Sequence, residues 1–332
     1  MTSKQDQSKN TISESSISDA PMPEIQLPQT KCGTVSIIGR PNVGKSTLLN
    51  HLVGYKISAI ANKPQTTRTN IRGIVTEFAT KDEVGYQIIF TDTPGIHLNS
   101  KNLLNRTLNS EAVAAVEDVD AIIFIVEALK WTDEDEFVLS RIKHSTVPVI
   151  LLINKVDRIK EKERLFEFLQ MVSKKRDFAE LIPVSAEKGI NTDILITSLI
   201  KRLPQSEFIY PEDHITDKSV RFICSELIRE QLVLNLHEEL PYTTAVEIEN
   251  YEETDKLVTI EVVIWTDRKN QKGIIIGKKG ETLKRIGQGA RHSLEEFLMK
   301  KVMLKQWVKV EENWQNNPRH LNELGIISNR EL

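Results

Sequence analysis

The stretch GRPNVGKS, residues 39–46, constrains this chain more than any other feature. It follows the apolar run TVSII and opens the helix-forming run KSTLLNHLV, so it reads as a strand, a glycine turn and a helix start. Glycine lets backbone N–H groups approach an anion closely, and a helix N-terminus adds partial positive charge. In that arrangement Gly39, Arg40, Pro41, Asn42, Val43, Gly44 and Thr47 wrap a polyphosphate, the Lys45 ammonium holds its β and γ groups, and the Ser46 hydroxyl ligates Mg2+. The fold class follows: α/β, with a mostly parallel sheet ending in this loop.

The stretch from 34 to about 203 agrees. TVSIIG, YQIIFTD, DAIIFIVE, VPVILLIN and ELIPVSA are short continuous apolar runs separated by helical stretches, the pattern of strands buried on both faces. Their ends carry the companions of the first loop. In FTDTPG, residues 90–95, Asp92 is placed to hold Mg2+ through water, and Thr93 and Pro94 lead to Gly95, whose N–H meets a γ phosphate. In LLINKVD the Asp157 carboxylate accepts two hydrogen bonds that guanine offers and adenine does not, which rejects the wrong base by roughly four orders of magnitude. Asn154 ties this loop to the first, and the Lys155 stem covers the base. Ser185 and the Ala186 N–H, in PVSAEKG, are placed to meet the guanine O6. Between them, NKPQTTRTN at 62–70 reads as irregular chain, in which Thr67, or Thr66 as the alternative, closes the metal shell when a γ phosphate is present. Lys45, Thr67 and Gly95 are thus the candidate catalytic groups, and GTP and GDP the ligands.

At 332 residues the chain exceeds one ordinary core, so two domains are expected. The alternation stops near 205. We divide the chain into a disordered tail rich in Ser, Gln and Pro (1–30), a nucleotide domain (31–205), a polar linker (206–217) and a second domain with a C-terminal tail (218–332). The second reads as helix, strand, strand, short helix with glycine loop, helix, strand. Its GIIIGKKGETLKRIG places the turn Gly277, Lys278, Lys279, Gly280 at the start of a helix, which fits an α+β KH module of the αββααβ type that grips the backbone of about four single-stranded nucleotides. Ile274, Ile275 and Ile276 are expected either to floor that site or, equally, to pack in the core, with Lys284 and Arg285 beside it. Trp307 is expected in the core, with Trp314 left as a candidate base stacker.

The net charge of −3 alone argues against a nucleic-acid partner, but residues 268–309 hold twelve Lys and Arg against three Glu, so a local basic patch answers the average. Two widely separated cysteines show neither zinc nor disulfide spacing and suit a reducing cytoplasm. The longest apolar runs fall well short of the roughly 20 residues of a spanning helix. A metabolic kinase is disfavoured by the guanine-reading NKVD, and a tandem GTPase by the single motif set.

Taken in order, the four motifs together with PQTTR and DTPGIH resemble the Era subfamily of translation-factor-related GTPases, from about residue 33 nearly to the end. The resemblance implies GTP hydrolysis, binding of single-stranded RNA near the 3′ end of small-subunit ribosomal RNA, assistance to 30S maturation, and a monomer. It further implies K+ beside Mg2+, with the Asn42 side chain as a ligand, and a cytoplasmic protein able to associate peripherally with the inner membrane, although no amphipathic anchor is evident. Ile96 stands where many GTPases carry the glutamine that orients water, so intrinsic hydrolysis is expected to be slow, of order 0.001 per second or less. His97 is the tempting base there, and more ordinarily a solvated side chain.

Overall fold

The computed structural model describes residues 30–61, 63, 67–80, 84–95, 103–324 and 326. The tail, Thr66, Ile96 and His97 therefore lie outside the described residues, except that Thr30 is already the first residue of a strand. The first domain runs β1 (Thr30–Ile38), α1 (Lys45–Val53), β2 (Ile71–Glu77), β3 (Gly85–Asp92), α2 (Leu103–Ala114), β4 (Ala121–Glu127), α3 (Asp133–Arg141), β5 (Val149–Asn154), α4 (Lys162–Val172), β6 (Glu180–Pro183) and α5 (Thr192–Ile200). Its sheet has the order β2-β3-β1-β4-β5-β6, antiparallel only between β2 and β3.

Alternate residues of the central strands feed two cores, which is why those strands read as unbroken apolar runs. Ile37, Ile123 and Leu152 face Leu48 and Leu49 of α1 and Leu195 and Leu199 of α5. Ile38, Phe124 and Ile153 face Val138 of α3 and Phe168 and Val172 of α4. The five expected strands are all present. The sixth, β2, was not anticipated, because it is a half-exposed edge strand. Gly73 is needed there, since a Cβ would lie 2.6 Å from the Leu49 side chain.

The segment expected to be a polar linker is fixed along that sheet. The buried side-chain amide of Gln87 on β3 accepts from the N–H groups of Ile209 and Tyr210, both at 2.9 Å, and donates to the Tyr210 carbonyl at the same distance. Farther on, Thr216 bridges Gly73 on the β2 edge, the Ile74 N–H donates to the Ile215 carbonyl, and the Arg72 N–H donates to the Asp217 carboxylate.

The second domain runs α6 (Val220–Asn235), β7 (Thr244–Glu253), β8 (Leu257–Thr266), α7 (Lys269–Ile276), α8 (Glu281–Leu298), β9 (Lys301–Val310) and α9 (Pro318–Glu323). Ser219 caps α6 by accepting from the Phe222 N–H. The sheet order is β7-β8-β9. Because β8 and β9 are parallel, the chain must cross over between them, and α7 and α8 are that crossover. Trp307, expected in the core, lies outside it, and Trp314, whose place the sequence leaves open, lies inside. Trp307 projects from β9 and is 43% exposed, because it lies on the odd-numbered side of a strand whose even side packs inward. Trp314 is fully buried against Leu104, Leu108 and Leu321, so it cannot stack a base.

Candidate functional site

The carboxyl ends of β1, β3, β4 and β5 converge on a cavity of about 350 Å3 lined by the predicted residues Pro41, Asn42, Gly44, Lys45, Ser46, Thr47, Thr67, Gly95, Asn154, Lys155, Asp157 and Ser185. Crevices at strand carboxyl ends are where open α/β sheets hold ligands. Gly44 caps α1 at φ 106°, and a Cβ on it would stand 2.3 Å from the Asn154 amide, so only glycine fits. A Cβ on Gly39 would lie 2.5 Å from the Ile125 carbonyl, and one on Gly95 2.9 Å from the Pro41 ring. The Lys45 ammonium is buried and donates to the carbonyls of Gly39 and Arg40, both at 3.1 Å. Burial pushes its pKa down to about 8, against the pull of Asp92. Val43 and Thr93 are buried; the Thr93 hydroxyl donates to the Ile37 carbonyl, so both serve the loop from behind.

Asp92 is a hub for hydroxyls. One carboxylate oxygen accepts from Ser46 at 2.7 Å, Ser58 at 3.0 Å and Thr67 at 3.3 Å, and Ser46 and Thr67 touch each other at 2.8 Å. The other oxygen, Oδ1, is buried without a hydrogen-bond partner among the described residues. Burial raises the Asp92 pKa, and Lys45 and the three hydroxyls oppose it. A hard oxygen donor set with one orphaned carboxylate oxygen fits Mg2+. Ser58 was missed by sequence reasoning. It is positioned by Asn50, whose side chain holds the Ser58 carbonyl and N–H, and no motif spacing announces that.

At the base end, Asn154 donates to the Val43 carbonyl at 2.7 Å, the expected tie between the two loops. The Lys155 ammonium donates to the Asn42 carbonyl at 2.8 Å. Asp157 is exposed at the cavity mouth. One expectation changes: the Ala186 N–H donates to the Asn154 Oδ1 at 2.9 Å, so Ala186 braces Asn154 instead of offering an open donor to a base. Ala59, Ile60, Ala61, Lys63, Arg158 and Glu187 also line the cavity and were not anticipated.

In the second domain Gly277 (φ 75°), Lys279 (φ 53°) and Gly280 (φ 79°) form the expected turn, with Gly280 capping α8. Lys278, Lys279, Lys284 and Arg285 are at least partly exposed, and Arg285 donates to the Asn235 side chain at 2.8 Å. Ile275 is fully buried with Leu232, Leu236, Ile264 and Ile286, so it supports the turn from beneath and cannot itself meet a base; Ile276 is half-buried beside the same cluster. Behind the turn a groove of about 370 Å3 runs between α8 and β9, lined by Lys284, Gly287, Gln288, Arg291, Met303, Leu304 and Gln306. A Cβ on Gly287 would stand 2.1 Å from the Gln306 amide, so a larger residue there requires that flexible side chain to move.

Contacts between the two domains gather around the segment that carries Thr67. Arg68, next in sequence, crosses into the second domain, where its guanidinium donates to the carbonyls of Thr244 (2.6 Å), Pro241 (3.1 Å) and Tyr242 (3.2 Å). Its carbon lies 5.9 Å from the Trp314 ring centre. Glu230 of α6 accepts from the Lys56 ammonium and the Ile60 N–H, and Lys63 donates to the Val233 and Leu236 carbonyls at the end of the same helix. After Asp92, α2 presents Leu104 and Leu108 to Trp314 and Leu321.

Residues 34–155 match the family of 50S ribosome-binding GTPases, and residues 239–315 match the KH domain. The GTPase Era of Pseudomonas aeruginosa is 46% identical over 296 residues, covering 89% of this chain and 95% of that protein. The GTPase Era of Pseudomonas fluorescens is 48% identical, covering 89% and 97%. Two solved structures superpose with a TM-score of 0.84 at 39% identity over 90% of this chain and all of theirs. They are Era in complex with MgGDPNP and nucleotides 1506–1542 of 16S ribosomal RNA, and a single-residue variant of Aquifex aeolicus Era bound to GDP.AlF4-.

Proposed function

This chain belongs to the Era family of GTPases, and we propose from that premise that it is a GTP-switched factor that holds the 3′ region of small-subunit ribosomal RNA during maturation of the 30S subunit. It hydrolyses GTP and binds RNA through its KH domain. The loop N–H groups and Lys45 hold the phosphates, Asp157 and Asn154 the base end. Ser46, Thr67 and Asp92 would hold Mg2+, which would supply positive charge at the β and γ phosphates. Thr67, drawn onto that cluster, fixes the segment that also bears Arg68.

The single observation that carries the switch is the Arg68 guanidinium seated on three KH-domain carbonyls one residue from Thr67. Burial and Arg229 disfavour its charge and Glu226 opposes them; in this reading the seat holds while a γ phosphate keeps Thr67 in place, and it opens after hydrolysis to release the RNA. With Thr67 held and Arg68 seated, Lys278 and Lys279 at the turn, and the α8–β9 groove behind it, receive the RNA backbone and bases. RNA affinity measured by fluorescence anisotropy should be about tenfold higher with a non-hydrolysable GTP analogue than with GDP, a typical coupling. Arg68→Ala should abolish that difference while GTP still binds. A difference that survives in the variant would place the coupling elsewhere.

Asn42 lines the phosphate end of the cavity, and we extend the reading to K+ there. Equal hydrolysis in sodium and potassium buffers would remove it. The cellular setting in this reading is the cytoplasm with peripheral contact to the inner membrane. No helix among the described residues is long and apolar enough to cross a membrane.

A further inference from the structure

We propose that Glu127 is a positioning residue that locks the base-binding loop to the phosphate loop and so sets how long a guanine nucleotide stays bound. The proposal rests on the reading of the cavity as a guanine-nucleotide site. Glu127 is the last residue of β4 and pairs in register with Asn154 at the end of β5. It does not line the cavity. Its Oε2 accepts from two cations that arrive from opposite sides: Arg40 of the phosphate loop at 3.1 Å, and Lys155 of the base loop at 3.3 Å.

Both partners are themselves committed. The Arg40 Nε donates at 3.0 Å to Asp135, which is fully buried and in turn accepts from the Thr132 N–H and hydroxyl, each at 2.9 Å, at the start of α3. Lys155 also donates to the Asn42 carbonyl. Asn42 (φ 63°) and Lys155 (φ 68°) both hold left-handed backbone conformations. For residues with a side chain such conformations cost on the order of 1 kcal/mol each and persist only where the surroundings enforce them. The contact between these two strained residues is what Glu127 reinforces. Burial works to raise the Glu127 pKa, but Lys155 and Arg40 outweigh it and hold the carboxyl below its ordinary range, so it stays charged.

An isolated exposed ion pair would contribute little. Here one carboxylate oxygen joins α3, the phosphate loop, β4 and the base loop, and the Lys155 stem is the piece that covers the base. Because the base is common to GTP and GDP, loosening Lys155 should shorten the residence of both equally. Loss of a γ-phosphate contact at Thr67 or Gly95 would instead act on GTP alone.

The test uses the full-length protein with the isosteric change Glu127→Gln, reading release of fluorescent GDP and of a fluorescent non-hydrolysable GTP analogue. Release of both should quicken about tenfold, equivalent to about 1.4 kcal/mol. KM for GTP should rise by the same factor while kcat moves less than about twofold. The double variant Glu127→Gln with Lys155→Met should release nucleotide no faster than Lys155→Met alone, since both changes remove one device. Release within about twofold of the parent, an effect on one nucleotide only, or additive losses in the double variant would overturn the proposal. Asp157→Asn, run alongside, should lose the preference for GTP over ATP. If it does not, the reading of the cavity fails and the role of Glu127 falls with it, whereas a failure confined to Glu127→Gln leaves that reading standing.

Discussion

The phosphate loop before α1 and the Gly277–Gly280 turn before α8 are built from the same parts: a positive-φ glycine capping a helix, with lysines beside it. The first buries its lysine against loop carbonyls and is braced from three sides by Asn154, Arg40 and Gly95. The second leaves both lysines open to water over one buried isoleucine. Enclosure suits a single compact polyphosphate, whose charges must sit at fixed points in a low-dielectric site. Exposure suits a polymer, for which displaced counter-ions supply much of the affinity and exact placement matters less.

Exchanging the two capping glycines gives the largest expected contrast. Gly44→Ala forces a Cβ into the Asn154 amide and should lower GTP affinity by at least about a hundredfold in calorimetry, about 2.7 kcal/mol. Gly280→Ala meets nothing within 4 Å and should cost only backbone strain, about 1 kcal/mol of stability. Equal penalties would erase the distinction between a braced loop and an open one. Next in size are the lysines. Lys278→Ala with Lys279→Ala should lessen the slope of log affinity for single-stranded RNA against log salt by about 1.4, at about 0.7 per charge lost. GTP affinity should not follow, and a slope that stays put would take the turn out of RNA binding.

The smallest effect is on pH. The Lys45 pKa is depressed to about 8, so the free protein loses that proton as pH rises past 8. A bound phosphate must restore it. GTP affinity is therefore expected to hold below about pH 8 and fall by up to about tenfold per unit above it. Stability of the free fold moves the other way. Its cost from the depressed pKa is fully present below 8 and is relieved between 8 and the ordinary 10.5. Titration of GTP binding between about pH 7 and about 9.5 would show whether the lysine is as enclosed as its geometry says.

Much of this was legible before any coordinates, and the reasons are local. Unbroken apolar runs disclosed the five strands buried on both faces, and motif letters disclosed Lys45, Ser46, Asp92 and Asn154, because each sits at a fixed spacing within a short run at the end of one of those strands. β2 escaped because an edge strand need bury only one side. Ser58, Glu127 and Arg68 escaped for a different reason. What each does depends on a partner 34, 28 or 176 residues away, at Asp92, Lys155 and Thr244, and nothing near them in sequence encodes that meeting. The tryptophans show the limit of composition: both are large and apolar, and only strand parity and the returning C-terminal segment decide that Trp307 faces out and Trp314 in.

The fixing of residues 209–217 along the sheet shortens the leash between the domains. A free segment of that kind could stretch to about 3.3 Å per residue. With Ile209, Tyr210, Ile215, Thr216 and Asp217 all moored to β2 and β3, only Lys218 and Ser219 remain before α6 begins. In the proposed switch, a KH domain released by Arg68 and by the Lys56 and Lys63 contacts would swing but not drift, and its local concentration beside the GTPase face would stay high. Re-engagement after each round of hydrolysis is then a short pivot instead of a diffusive search.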